Sequence, residues 1–356
     1  MKRPVSCSAL YVTLLILALL LAGCAANLST GSGGGIDNGG GSGSGTSTPL
    51  PSGSGAQGVQ LFIEPDNGVH VITDAIDGAR QSVWVEMYLL TNRSVIRSLE
   101  DAANRGLDVR VMLETHPYGS GSVSPTQTLD RLSAAGIKVE ATSPDFQLTH
   151  EKCMIVDGKS AYIMTTNFTN SALGVGSYLN REYGIIDTNP ADVQAVSSIF
   201  QADWNRTRVQ LNDPNLVISP LNSRSDFLAL INSAHTTLLI EAEEMQDSAV
   251  EQAIASAAQR GVHVQVVLPV PKGSDSNGGG ITVIKQAGVQ VREDPRLYMH
   301  AKIIVADGAR AFVGSENISS ASLDQNRELG ILLADQTVIN TLQQTFQQDW
   351  GDSQDV

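Results

Sequence analysis

His150-Glu151-Lys152-Cys153-Met154-Ile155-Val156-Asp157 and, further along, His300-Ala301-Lys302-Ile303-Ile304-Val305-Ala306-Asp307 share one pattern: a histidine, a lysine two positions later and an aspartate five beyond it. Each pattern is followed by an asparagine 17 positions after its histidine, Asn167 and Asn317. The apolar runs 153–156 and 303–306 read as buried strands. Side chains alternate along a strand, so His150 and Lys152 share a face, as do His300 and Lys302. An imidazole titrating near neutrality can act as nucleophile when neutral and as acid when charged. A lysine supplies fixed positive charge, and an asparagine adds amide donors. Two such sets suit one phosphate.

The repetition extends well beyond these residues. Val83-Trp84-Val85-Glu86 is answered by Leu239-Ile240-Glu241, and Arg105-Gly106-Leu107-Asp108-Val109 by Arg260-Gly261-Val262-His263-Val264. Ala135-Gly136-Ile137-Lys138-Val139 matches Ala287-Gly288-Val289-Gln290-Val291, and Asn180-Arg181-Glu182 matches Asn326-Arg327-Glu328. Each copy closes on Asp-Trp, at Asp203-Trp204 and Asp349-Trp350. Residues 83–90 read as a buried strand, and 94–105 place Val95, Ile96, Leu99 and Ala103 on one helical face. Ser248-Ala249-Val250-Glu251 reads as a capping box, and Gly261 as the end of that helix. Alternating strand and helix predicts α/β layers in each copy.

Taken together, the paired motifs resemble the HxKxxxxD signature of the phospholipase D superfamily, over about residues 59–350. The resemblance implies two tandem α/β/α layered units related by a pseudo-twofold axis, with the active site at their interface. It implies His150, Lys152, Asp157, His300, Lys302 and Asp307 as the catalytic set, with Asn167, Asn317, Thr165 and Ser315 binding phosphate. His150 is expected to attack phosphorus and form a phosphohistidine, while His300 serves as acid and base. Glu182 and Glu328 are expected to fix the histidine tautomers; a solvated Asn-Arg-Glu turn is the alternative. The two aspartates precede glycines between apolar runs, so a hairpin turn is the better reading of each. Met164-Thr165-Thr166-Asn167 departs from the Gly314-Ser315-Glu316-Asn317 form and puts fine geometry in doubt. Glu151 is expected on the exposed strand face. His70, His235 and His263 read as ordinary surface histidines, whereas His116 stands where a cleft could form.

Ahead of this core, the first residues read as an export signal. Lys2 and Arg3 precede an apolar run, and Leu21-Ala22-Gly23-Cys24 resembles a bacterial lipobox. The expected organisation is a signal peptide at 1–23, a Gly/Ser-rich tether at 24–57, a first domain at 58–210 and a second at 211–356. Cys24 would carry the lipid; an uncleaved anchor is the alternative. The protein is therefore expected in the bacterial cell envelope, lipid-anchored on the extracytoplasmic side of a membrane. Cys153, in an apolar run, reads as inert core.

Loss of residues 1–23 would leave 21 Lys+Arg against 37 Asp+Glu. This acidic balance weighs against nucleic acid as partner. The implied mechanism requires no metal or other cofactor, and HExxH, paired-cysteine and calcium-loop patterns are absent from the sequence. The expected function is hydrolysis or transfer of phosphatidyl groups, with a phospholipid substrate and a water or alcohol acceptor, and a monomer suffices for the site. Alternatives are a cardiolipin synthase-like phosphatidyltransferase, a nuclease of the same superfamily, and a non-catalytic scaffold.

Overall fold

A computed structural model describes residues 55–118, 123–210 and 213–356. The expected signal, Cys24 and nearly all of the expected tether lie outside the described residues. Among the described residues no helix is long and apolar enough to cross a membrane.

The first copy contributes β1 (Gln60–Glu64), β2 (Ser82–Met87), β3 (Asp108–Leu113), β4 (Lys138–Ala141), β5 (Lys152–Val156), β6 (Ser160–Met164) and β7 (Asn180–Asp187). They form a sheet in the order β1-β7-β6-β5-β2-β3-β4. The second copy contributes β8 (Leu216–Ser219), β9 (Thr237–Ala242), β10 (Met245–Gln246), β11 (His263–Pro269), β12 (Gln290–Asp294) and β13 (Tyr298–Met299). It continues with β14 (Lys302–Ala306), β15 (Arg310–Gly314), β16 (Ile318–Ser319), β17 (Glu328–Leu333) and β18 (Gln354–Asp355). Its sheet runs β18-β12-β11-β9-β14-β15-β17-β8. Apart from the extra edge strand β18, the two strand orders are the same, as the duplicated sequence requires.

Helices pack against both sheets, in the layered arrangement that amphipathic elements need to hide their apolar faces. In the first copy these are α1 (His70–Gly78), α2 (Arg93–Asn104), α3 (Pro125–Ala134) and α4 (Pro190–Trp204). In the second they are α5 (Ser223–Asn232), α6 (Ser248–Gln259), α7 (Gly278–Gln286), α8 (Ser320–Asp324) and α9 (Gln336–Asp352). Helix α2 buries Val95, Ile96 and Leu99, as its periodicity predicts. The start of α6 differs from expectation. Its cap is Asp247, whose carboxylate accepts from the amides of Ala249 and Val250, and Ser248 is already helical. Asn92 does the same for α2, so the two copies share the cap position. Gly261, with φ of +92°, follows α6 in the left-handed conformation expected at its end.

The core is shared. Cys153, Ile155, Ile163, Ile185 and Phe200 of the first copy pack in one apolar cluster with Ile303, Val305, Val313, Ile331 and Phe346 of the second. Two further clusters lie under the outer helices of each copy. Burial removes Cys153 from solvent and pushes its thiol pKa well up, so it stays protonated.

The departure at Met164 has a packing cause. A β-carbon on Gly314 would lie 2.4 Å from the Cα of Gly330 and 2.6 Å from the Phe312 ring. In the first copy Met164 pairs with Gly184, while Phe62 fills the space above that glycine. The two copies therefore solve the same close approach with different partners.

Candidate active site

Each histidine enters the site on a short extended segment that pairs with the other copy. Thr149 bridges to Arg327, His150 donates its amide to the Arg327 carbonyl at 2.9 Å, and Arg327 donates back to Leu148 at 2.9 Å. Reciprocally, β13 pairs in parallel with β7, matching Tyr298 with Asn180 and Met299 with Arg181. These exchanged contacts seat each histidine beside the Asn-Arg-Glu strand of its sister.

The glutamates follow from that register. Glu328 holds His150 Nδ1 at 2.9 and 3.1 Å, and Glu182 holds His300 Nδ1 at 2.8 Å. Both carboxylates are fully buried. Thus each glutamate serves the histidine of the opposite copy, rather than a solvated turn. Glu328 also accepts from Ser322 at 2.7 Å and Asn326 at 3.2 Å, and Glu182 from Thr165 at 2.6 Å and Asn180 at 3.0 Å. An Nδ1–H bound to carboxylate leaves Nε2 to meet a substrate. Burial lowers the His150 pKa below its ordinary value, with Glu328 opposing, so the ring is neutral at neutral pH. For Glu328, burial acts upward, but His150, Lys152 and Ser322 hold its carboxyl below the usual range.

The lysines lie behind their histidines and differ in company. Lys152 is wholly buried and donates to the His150 carbonyl. Burial depresses its pKa to about 7. Among the described residues no carboxylate lies within ion-pair distance of its Nζ. Lys302 donates to the His300 carbonyl at 2.7 Å and to Glu243 at 2.8 Å. Asn167 and Asn317, with both histidines, line one cleft of about 1410 Å³. Four large apolar side chains that are solvent-exposed, Tyr118, Val123, Val175 and Tyr178, stand on its walls.

Other expected site residues point elsewhere. Thr165 and Ser315 are fully buried and do not line the cleft. The Thr165 hydroxyl holds Glu182 and accepts from the Tyr183 amide at 2.9 Å, and Ser315 accepts from the Leu329 amide at 3.0 Å. Just past the ends of β6 and β15, these hydroxyls turn inward, so they position the glutamate strands and do not face the cleft. Asp157 and Asp307 also lie outside the cleft. Each has a positive φ, 55° and 53°, at a hairpin turn. Asp157 accepts from the amides of Arg80, Gln81 and Ser82, and Asp307 from those of His235, Thr236 and Thr237. They anchor the chain entering β2 and β9. His70, His235 and His263 are exposed, and His116 lies beside Glu114 without lining the cleft.

Glu151 corrects another expectation, because it is buried rather than solvent-facing. Its carboxylate, with those of Glu86 and Asp203, forms a group whose oxygens lie within 4.8 Å of one another. Burial pushes the Glu86 pKa well up and that of Glu151 to about 8, with the neighbouring carboxylates adding to the rise, which favours their protonated forms. Arg327 pairs with Asp203 at 2.9 Å and supplies the cation.

Three features were not foreseen. Arg181 binds Asp349 through two bonds of 2.6 and 2.7 Å, and Arg327 binds Asp203. The repeated Arg and Asp-Trp signals are therefore reciprocal clamps between the copies. The third is Glu243, half-buried in the cleft and 3.4 Å from His300 Nε2. Its signal was its place in the duplication, where it answers Tyr88.

Comparison with known proteins agrees with this geometry. The protein family described as "Cardiolipin synthase, PLD-like domain" matches residues 72–204 and 227–350. A cardiolipin synthase of Oceanobacillus iheyensis is 26% identical over 337 residues, covering 82% of this chain and 68% of that protein. Cardiolipin synthase A of Proteus mirabilis is 25% identical, covering 80% and 67%. Among solved structures, phosphatidylserine synthase of Haemophilus influenzae shares the fold with a TM-score of 0.64 at 13% identity, covering 85% of this chain and 89% of that one. Two such matched segments, each turning its histidine to a common cleft with the lysine buried behind it, make this chain a member of the phospholipase D superfamily and an enzyme of its cardiolipin synthase-like kind.

Proposed function

We propose that the protein transfers phosphatidyl groups between alcohols, or to water, through a phosphohistidine on His150. One observation carries the reading: two histidines from different copies, each held at Nδ1 by a carboxylate of the other copy, line a single cleft. Their roles follow from their surroundings. His150 is kept neutral by burial, and its one carboxylate contact among the described residues is at Nδ1, so its Nε2 lone pair is available to attack phosphorus. His300 has carboxylates near both ring nitrogens, which suits the imidazolium and a proton donor.

In the first step the Nε2–P bond forms as the P–O bond to the leaving alcohol breaks, and His300 gives that oxygen a proton. In the second, His300 takes the proton of water or an incoming alcohol, the new O–P bond forms and the N–P bond breaks. Lys152, Lys302, Asn167 and Asn317 carry phosphoryl charge as it shifts. The apolar side chains on the cleft walls fit acyl chains. Export, a lipid anchor at Cys24 and division into domains at 58–210 and 211–356 complete the proposal, placing the catalyst beside a bilayer.

Vesicles of phosphatidylglycerol with labelled phosphorus test it. Expected products are cardiolipin with free glycerol, or phosphatidic acid. Brief reaction followed by alkaline denaturation should leave acid-labile label on His150, and His150→Ala should remove it. Label on His300 would reverse the roles. DNA cleavage without any lipid product would replace this reading with a nuclease, although Glu243 and Glu244 in the cleft disfavour a polyanion.

A further inference from the structure

The two halves of the cleft are not equivalent. In sheet register Met87 lies opposite Lys152 and Ala242 opposite Lys302, so the next residues, Tyr88 and Glu243, hold matching positions. Tyr88 sets its ring edge against His150, with 4.6 Å between centroids, and lies 5.2 Å from the Lys152 ammonium. It brings no charge. Glu243 places a carboxylate among the groups of the second motif instead. Its Oε2 is 2.8 Å from Lys302 Nζ, 3.4 Å from His300 Nε2 and 3.4 Å from Asn317 Nδ2. Its Oε1 accepts from the Tyr298 hydroxyl at 3.2 Å.

These three groups are the donors that the second copy offers to a phosphoryl oxygen. A carboxylate already satisfies them. We propose that Glu243 is the resident anion of the second half of the phosphate seat, and that a phosphodiester enters by displacing it from Lys302, His300 and Asn317. The inference rests on the reading of the cleft as a phosphate site and adds a specificity-determining residue to it.

Electrostatics supports the exchange. The basic groups of the site already face three carboxylates: Glu328 at His150, Glu182 at His300 and Glu243 at Lys302. A fourth anion beside Glu243 would be repelled, whereas one phosphodiester for one carboxylate keeps the charge of the seat constant. Burial raises the Glu243 pKa, but His300 and Lys302 outweigh it and hold the carboxyl well below its usual range. Displacement also frees His300 Nε2, so the proton donor becomes available when substrate is seated.

The test is binding of tungstate, a tetrahedral oxyanion, to the full protein by calorimetry. Glu243→Gln keeps the shape and removes the charge, and should bind tungstate about tenfold more tightly than the parent. Glu243→Asp withdraws the carboxylate and should also gain, a second route should the glutamine variant fold poorly. Glu244→Gln makes the same change of charge in the same cleft and should gain less than threefold. Equal affinity in the parent and both Glu243 variants overturns the displacement, as does an equal gain in Glu244→Gln. Loss of tungstate binding in every protein overturns the phosphate seat itself. The vesicle assay separates these failures: transfer that persists with equal affinities leaves the enzyme reading intact and removes only the role of Glu243.

Discussion

Glu182, on β7 of the first copy, holds the imidazole of His300, in the second, at 2.8 Å, and Glu328 returns the contact to His150. Each of these imidazoles is thus oriented by the half of the molecule to which it does not belong. Glu182→Gln and Glu328→Gln should each keep the fold yet lower kcat about 10²- to 10⁴-fold, because an amide can stabilise the wrong tautomer and cannot balance an imidazolium. Circular dichroism with vesicle turnover checks both. Full activity in either variant would remove that glutamate from the mechanism.

Lys152 gives the site a pH dependence of definite sign. With a pKa depressed by burial to about 7, the free enzyme loses this ammonium as pH rises through neutrality. Substrate phosphate needs the charged form, so kcat/KM should fall above about pH 7. Stability should run the other way. Between about 7 and the ordinary lysine value near 10.4, the unfolded chain binds more protons at this site than the native one, and the residue's contribution to stability rises with pH. Lys152→Met should remove this residue's share of the stability slope, seen as the difference from the parent in denaturant titrations between pH 6 and 9, where Glu151 acts in the opposite direction. Rate profiles over the same range measure the fall in kcat/KM.

The arginine clamps should matter far more than surface ion pairs. Arg181→Met strands Asp349 in the interior and should cost about 3–5 kcal/mol in urea unfolding. Arg292→Met, whose partner Asp355 is exposed, should cost about 0–1 kcal/mol. Similar losses in both variants would contradict the clamp.

Asp157→Asn should separate stability from catalysis. The aspartate accepts three consecutive backbone amides, and neither it nor those residues line the cleft. Its loss should lower stability by about 1–3 kcal/mol while turnover at low temperature stays within a few-fold of the parent. A drop in kcat of several hundredfold with an unchanged melting temperature would place it in the chemistry instead.

Much of this was legible in the residues alone. The His-Lys spacing, repeated with an asparagine at a fixed distance, specified a shared strand face and two equivalent copies. Alternation of apolar strand and helix specified the layers. What sequence could not show was partnership across copies: spacing within one repeat cannot reveal that Glu182 serves His300. Hydroxyl direction at Thr165 and Ser315 depends on which sheet face meets the cleft, and the shared core decided that. Glu151 was misread because a charged side chain beside a lysine ordinarily seeks water; here Arg327 and retained protons make burial tolerable. The Asp247 cap was readable by analogy with Asn92, but a serine-glutamate pair gave the stronger local signal.

The apolar cluster that joins Cys153 and Phe200 to Ile303 and Phe346 has a consequence for how the molecule comes apart. Neither sheet can melt without baring the hydrophobic face of the other, so the chain should lose its structure in one calorimetric transition. A cut between the copies would then yield sticky fragments, and a mutation deep in one half would be felt as softening of the whole.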